Sequence, residues 1–481
     1  MKPLRWYDYI TQNIYWFALS MGSGSLTPII TPLLVQQFVD PGMKNTFYGV
    51  LRAAGLAVAI LVQPAAGLLS DRSTSRWGRR RPFIAVGALL TALCVLAMVG
   101  ARSYWALFAV MLVMQFSTNI AHGALQGIIP DVVPEGQRGR ASAAKSLFDL
   151  APTILVAFTI ARLVKGDDVS LGLIALAGIY VGAMLITVLG VREAPLRQAP
   201  AGSVTEPLVR TLGLLLGVAV GAIVAGAAAA LVGGLAYGAA YVVAGAAEAR
   251  LVAVGVGGLV AMVGTIIAGV WAAVHLGTGD ARRHVSFTWW VVNRLAFMAA
   301  VGSILSFALY FLQDVLHLPD AKQATANLQA AAGVFTLVMV LVSGFLADRF
   351  GRRPLVLAAG VVAAVGTFLL VVAGNVTMVL VAGCLIGGGT GLFYTASWAL
   401  GTDLVPAGEA GRFLGIQNVA GAGAGIVGAG LGGVLADYFN AANPGSGYLV
   451  IFAMFGVCFL VSTVVMTQVK APAVAVAQAA Q

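Results

Sequence analysis

Gly67-Leu68-Leu69-Ser70-Asp71-Arg72 and Gly344-Phe345-Leu346-Ala347-Asp348-Arg349 each close an apolar run, and each leads into a Gly-Arg-Arg triplet, Gly78-Arg79-Arg80 and Gly351-Arg352-Arg353. Outward from this pair the correspondence continues. Asn13-x3-Phe17-x4-Gly22-Ser23 is repeated as Asn293-x3-Phe297-x4-Gly302-Ser303, and Asp131-Val132-Val133-Pro134 followed by Gly139-Arg140 returns as Asp403-Leu404-Val405-Pro406 followed by Gly411-Arg412. Three landmarks in one order at similar spacing mark an internal repeat, so the chain reads as two copies of one unit.

Composition says what solvent that unit meets. Hydrophobic residues fill 60% of the 481 positions and charged residues 10%, against roughly 45–50% and 25% in soluble domains. Apolar runs bounded by charges and Gly/Pro clusters fall near 13–36, 46–70, 82–101, 104–130, 141–164 and 170–191, then near 287–313, 323–347, 354–373, 376–402, 411–437 and 447–469. As helices, runs of this length cover about 30 Å of hydrocarbon, and spanning strands would not need them. The net charge of +10 would suit nucleic acid, but about 19 of the Lys and Arg fall in alternate loops and at the two ends, a positive-inside distribution. Basicity here encodes orientation and not a nucleic-acid partner. Both termini and the loops holding Arg72 to Arg81, Arg138/Arg140, Arg282/Arg283, Arg349 to Arg353 and Arg412 are expected in the cytoplasm, on a multi-pass protein of the cell (inner) membrane. Lys2 and Arg5 precede a run of span length with no small-residue cleavage site, so that run reads as the first span and not a removed leader.

The predicted fold is all-α and membrane-embedded. It has a six-helix bundle over 1–191, a linker with an inserted hydrophobic hairpin over 192–285, a second pseudo-symmetric six-helix bundle over 286–470 and a cytoplasmic tail over 471–481, about 14 helices in all. The hairpin is read from apolar runs 208–247 and 251–276, separated by Glu248 and Arg250. To keep the Arg349 loop on the side of the Arg72 loop, the insert must cross an even number of times. A single long helix with an interfacial piece is the alternative. Two parallel repeats about an axis along the membrane normal are the arrangement of major facilitator transporters.

Polar residues inside spans narrow the chemistry. Asp149 lies about 13 Å into the fifth span, where a carboxylate is costly unless paired and is a functional candidate by default. Lys145 stands one turn before it and Arg294 at similar depth in the seventh span, so the three form a candidate proton-coupling group whose cations tune the acid. A structural Lys145–Asp149 pair is the bland alternative. In the fourth span Gln115, Asn119, His122 and Gln126 make one polar stripe. The tenth span offers Tyr394 and Trp398 at the positions matching His122 and Gln126, and the seventh offers Asn293. Amides and imidazole bond hydroxyls while aromatic faces stack on a ring, so these seven residues are the expected substrate contacts. The loop residues Asp71, Arg72, Arg76, Arg80, Asp348, Arg349 and Arg352 are read as gates, because an aspartate at a fixed helix end can accept from arginines and a facing helix N-terminus. Topology alone is the competing reading.

The loop Ser70-Asp71-Arg72-Ser73-Thr74-Ser75-Arg76-Trp77-Gly78-Arg79-Arg80-Arg81-Pro82-Phe83 resembles that of sucrose carriers, within the glycoside–pentoside–hexuronide:cation symporter group of the major facilitator superfamily. Thr27-Pro28 in the first span adds to the likeness. The second-half loop, Asp348-Arg349-Phe350-Gly351-Arg352-Arg353-Pro354, has the generic superfamily form. The resemblance implies a secondary transporter taking a small molecule, a sugar, together with a proton. An acidic residue is expected in the fourth span of sucrose carriers, and none is there, which moves the expected coupling site to Asp149. A drug or metabolite exporter working by proton antiport is the alternative, since an inserted hairpin gives the helix number of some exporters. His-Glu-x-x-His, Gly-x-Ser-x-Gly and Walker motifs are missing from the sequence, so no enzyme is expected and no cofactor is called for. Cys94, Cys384 and Cys458 lie in three different spans and offer neither a disulfide framework nor a metal site.

Overall fold

The computed structural model describes residues 4–166, 168–193, 196, 205–278, 281–404 and 410–470. The expected 471–481 tail and the side chains of Asp348, Asp403 and Arg412 lie outside the described residues. Thirteen helical segments among the described residues are long and apolar enough to cross a bilayer. In order they are α1 (Trp6–Phe38), α2 (Lys44–Asp71), α3 (Arg81–Ala97), α4 (Tyr104–Leu125), α5 (Arg138–Leu155 and on through a 3-10 turn to Leu163), α6 (Ser170–Gly190), α7 (Thr205–Ala244), α8 (Ala246–Thr278), α9 (Val285–Asp314), α10 (Ala321–Phe350), α11 (Arg352–Val371) and α12 (Val376–Leu404). The 33-residue helix α13 (Ala410–Ala442) follows, and then the last of the thirteen, α14 (Ser446–Met466).

Proline sets the local departures from straight helix. Pro28 and Pro32 each remove a backbone donor, and α1 widens into a π turn over Leu26–Ile30, around Pro28 and just before Pro32. In α5, Pro152 cannot bond back to Phe148, and three residues later the helix gives way to the 3-10 turn Val156–Phe158 before resuming at Ile160–Leu163. Pro152 stands less than one turn beyond Asp149, and the break follows about two turns beyond it.

Two compact units result. The first comprises Met1–Pro41, Ala54–Val209 and Thr325–Gly333; the second comprises Gly42–Ala53, Arg210–Ala324 and Val334–Gln481. In the first, α3 packs on α4 and α6, and α1 on α5 and α6. In the second, α11 packs on α12 and α14, and α9 on α13 and α14. These are the same pairings, so the repeat in sequence is a repeat in packing. The inserted pair α7 and α8 meets through a stripe of small residues at four-residue spacing, Gly217, Gly221, Ala225, Ala229 and Gly233, against Gly257, Gly264 and Gly269. The α8 helix also seats Gly258 on Leu435 and Met262 on Cys458, whereas Leu231, Leu235, Val242 and Val243 of α7 stay exposed and apolar, a face suited to lipid.

The unit boundaries cut across the repeats. Residues 42–53, the start of α2, belong to the second unit, and residues 325–333 of α10 belong to the first. At the start of α2 the Asp437 carboxylate accepts from Asn45 Nδ2 (2.8 Å) and from the backbone N–H of Asn45 (3.3 Å) and Thr46 (2.6 Å). A side chain of α13 thereby caps α2. Beside it Lys44 pairs with Asp314 at 2.7 Å, and Tyr448 donates to the same carboxylate at 2.5 Å. Lys44 also covers the Tyr310 ring at 4.7 Å.

Candidate functional site

In the first unit three helices each present a pair of residues one turn apart: Trp16 and Ser20 on α1, His122 and Gln126 at the end of α4, Lys145 and Asp149 on α5. Ser20 Oγ donates to Asp149 Oδ1 at 2.6 Å, and Lys145 Nζ lies 3.6 Å from Asp149 Oδ2. The same ammonium sits 3.9 Å above the Trp16 ring, whose edge meets the His122 imidazole at 5.1 Å between centroids. Gln126 Nε2 reaches His122 Nε2 at 3.5 Å. The Asp149 side chain remains 42% exposed, so the ion pair is open to exchange and modest in energy, about 0–1 kcal/mol. The cluster thus gathers a carboxylate, an ammonium, an imidazole and an amide, groups that accept from and donate to hydroxyls. Trp16 and Ser20 escaped the sequence reading; their matching four-residue spacing was the available signal.

The rest of the α4 stripe turns elsewhere. Asn119 is buried and gives its amide to the Gln115 carbonyl at 2.8 Å, and Gln115 packs into the space beside Gly55. In the second unit Asn293, expected to contact substrate, is fully buried and donates to Ser462 Oγ at 2.7 Å and to the Ser462 carbonyl at 2.8 Å. Its amide braces α9 against α14, and this removes it from the candidate contacts. Arg294, grouped by sequence with Lys145 and Asp149, stands in the second unit, its guanidinium carbon 5.6 Å above the Trp398 ring. Trp398 and Tyr394 lie one turn apart on α12 and are both partly open, at 45% and 40% exposed.

Just beyond the end of α4 that carries His122 and Gln126, the loop after α2 forms a charge network. Arg80 is buried and donates to Asp71 at 2.5 Å, to Asp131, to Ser70 Oγ at 3.4 Å and to the Ala124 carbonyl at 3.3 Å. Arg79 shares Asp131 and lies 3.5 Å from Glu193, whose other oxygen accepts from the Arg80 backbone at 2.9 Å. Gly78, at φ +101°, makes the turn that brings both arginines in, and Glu193 occupies the space a side chain would need. Arg76 is exposed and stands apart from this network; Arg72 is half-buried. Glu193, just past α6, was missed because nothing local distinguishes it. In the second unit Arg352 donates to the Ala399 carbonyl at 3.0 Å and Arg353 to the Thr467 carbonyl at 2.6 Å, while Arg349 lies over Phe350.

Comparison with known proteins gives three results. The sequence profile of the family described as Major Facilitator Superfamily matches residues 14–312 and 290–480. Sucrose transport protein SUT1 of Oryza sativa subsp. japonica is 39% identical over 70 residues, 15% of this chain and 12% of that protein. Proton-associated sugar transporter A of Homo sapiens is 39% identical over 77 residues, 15% of this chain and 10% of that protein. The chain thus matches about an eighth of these relatives' length or less. Among solved structures, nucleoside transporter NupG superposes with a TM-score of 0.61 at 12% identity over 97% of this chain and 100% of that one. A peptide transporter POT in complex with sulfate superposes at 0.66 and 14% identity over 97% and 95%. At such identities the likeness speaks for the fold.

Proposed function

The chain belongs to the Major Facilitator Superfamily, and from that premise we propose that this membrane transporter is a proton-coupled symporter of a sugar or glycoside, working by alternating access in the cell membrane with both termini in the cytoplasm. The observation that carries the reading is the Asp149 cluster: a half-exposed carboxylate inside a span, held by Ser20 and Lys145 next to His122 and Gln126. Ionised, Asp149 ties α5 to α1 through Ser20. Protonation removes the attraction to Lys145 and weakens that tie, so proton occupancy biases the packing of two helices in the same bundle. The break after Pro152 gives α5 a joint about two turns beyond Asp149. Gln126 and His122 supply the donors and acceptors for substrate hydroxyls. The Asp71–Arg80–Asp131 network acts as a gate at the loop end, with Arg352 as its repeat. A sugar is favoured over other cargo by the amide and imidazole groups of α4 and by relatives whose names state sucrose and proton-associated sugar transport.

The test is uptake of labelled mono- and disaccharides into proteoliposomes with and without an inward proton gradient. Asp149→Asn is expected to lose gradient-driven accumulation and to keep exchange of substrate across the membrane, which needs no net proton movement. Accumulation of no sugar under either condition would overturn the sugar reading; undiminished accumulation by Asp149→Asn would overturn the coupling role.

A further inference from the structure

One turn beyond the Ser20–Asp149 bond, α1 presents Gly24 and α5 presents Thr153, and the side chain that meets both comes from α10. Gln329 donates its Nε2 to the Thr153 carbonyl at 3.4 Å, and the same nitrogen lies 2.7 Å from where a Cβ on Gly24 would stand. One turn further along α10, Gly333 lets the helix lie against Thr153 and Ile154, which come within 3.0 and 3.1 Å of its would-be Cβ. These contacts fall on the stretch of α5 between Pro152 and the 3-10 turn, where regular helical bonding is being lost and support from a neighbour counts most. Past Gly333 the same helix runs on into the second unit.

Gln329 is 4% exposed, and its Oε1 accepts from no donor among the described residues. A leucine of similar size would fill this space without stranding an oxygen, so packing alone does not account for an amide. Within lipid-embedded helices a buried polar group that costs stability marks a function. Here the amide bonds α10 to the turn of α5 that follows the carboxylate, a tie that leucine cannot make.

We propose that Gln329 is the positioning residue that carries the state of Asp149 from α5 to α10. When protonation loosens the Ser20–Asp149 tie, α5 shifts on α1, and the Thr153 carbonyl takes the Gln329 amide and α10 with it. The inference rests on the reading of Asp149 as the titrating acid and adds the step by which that event reaches a helix of the other repeat.

The test is backbone amide exchange read by mass spectrometry on the purified full-length protein, with Asp149→Asn as the neutral form of the acid. That substitution leaves in place Lys145 and His122, the titratable groups that face Asp149. In the parent background Asp149→Asn is expected to change exchange over residues 325–333 by at least about 5-fold, the low end of coupling between two sites. In Gln329→Leu, and in Gly24→Ala, where a methyl displaces the amide, the same substitution should change it less than about 2-fold. The heat-unfolding midpoint of Gln329→Leu alone should equal or exceed the parent's, because the stranded oxygen is gone. An equal response in all three backgrounds, or none in the parent, would overturn the relay. So would a lowered midpoint in Gln329→Leu, which would make the amide a structural strut. Loss of proton-driven accumulation in Asp149→Asn, with an exchange response that Gln329→Leu leaves intact, sinks this inference and leaves the symport reading standing. Undiminished accumulation in Asp149→Asn, with a response that Gln329→Leu abolishes, does the reverse.

Discussion

Replacing Arg80 and Arg76 by alanine, one at a time, separates a gate from a topology signal, because each removes one positive charge from the same loop and only Arg80 is wired into a network. Arg80 donates to Asp131, to Asp71, to Ser70 and to the Ala124 carbonyl. Asp131 is 17% exposed, so its charge-assisted bond is counted at about 2 kcal/mol. Asp71 is 47% exposed and solvent screening leaves its pair about 0.5 kcal/mol. The two weaker bonds add about 0.5 kcal/mol together once water replaces them. The sum is about 3 kcal/mol, or about 100-fold in the equilibrium between closed and open loop. Backbone amide exchange read by mass spectrometry over Gly127 to Val133, the segment between Ala124 and Asp131 and just beyond, should therefore quicken by about 100-fold in Arg80→Ala. In Arg76→Ala it should stay as in the parent, with both variants inserting normally. Equal acceleration in the two, or none in either, would return the loop to an orientation signal and remove its gating role.

Gly78→Ala should lower the heat-unfolding midpoint more than Gly351→Ala. Both have positive φ, worth about 1–2 kcal/mol, but only the first also drives a methyl into Glu193, whereas the second meets Pro354 at 3.8 Å; the opposite order would refute the Glu193 contact. Asp437→Ala strips the cap from α2 and should destabilise the protein by about 2 kcal/mol in thermal or denaturant unfolding in detergent. Thr46→Ala should be neutral, since only the backbone N–H of Thr46 is used, and a matching loss there would mean that the hydroxyl matters instead.

The repeat was legible because its landmarks are short, charged or glycine-containing and sit where helices end, so Asp71 with Asp348 and Asn13 with Asn293 announce themselves in one dimension. Pairings between distant helices were not. Ser20 is an ordinary hydroxyl in an apolar run until Asp149 is set 2.6 Å away, and Glu193 looks like any charge after a span until Arg79 and Arg80 turn toward it. Asn293 failed in the opposite sense: an in-span amide suggests a ligand contact, but Ser462, far along the chain, takes both of its hydrogens. Asp437 read as the boundary of a span and gave no hint that it caps a helix of the other repeat.

The reciprocal loan of helix ends bears on how the gene can be cut. Scission in the 192–285 linker would yield two polypeptides that each hold one full repeat, yet the C-terminal piece would carry Asp314 and Asp437 without Lys44, Asn45 and Thr46, and the N-terminal piece would lack the 325–333 segment. Neither fragment is a self-sufficient folding unit on this account, and a duplication that began as two separate proteins would have had to satisfy those carboxylates with a second copy's lysine and amides. Split expression should give protein only when both pieces are made in one cell, as complementing fragments.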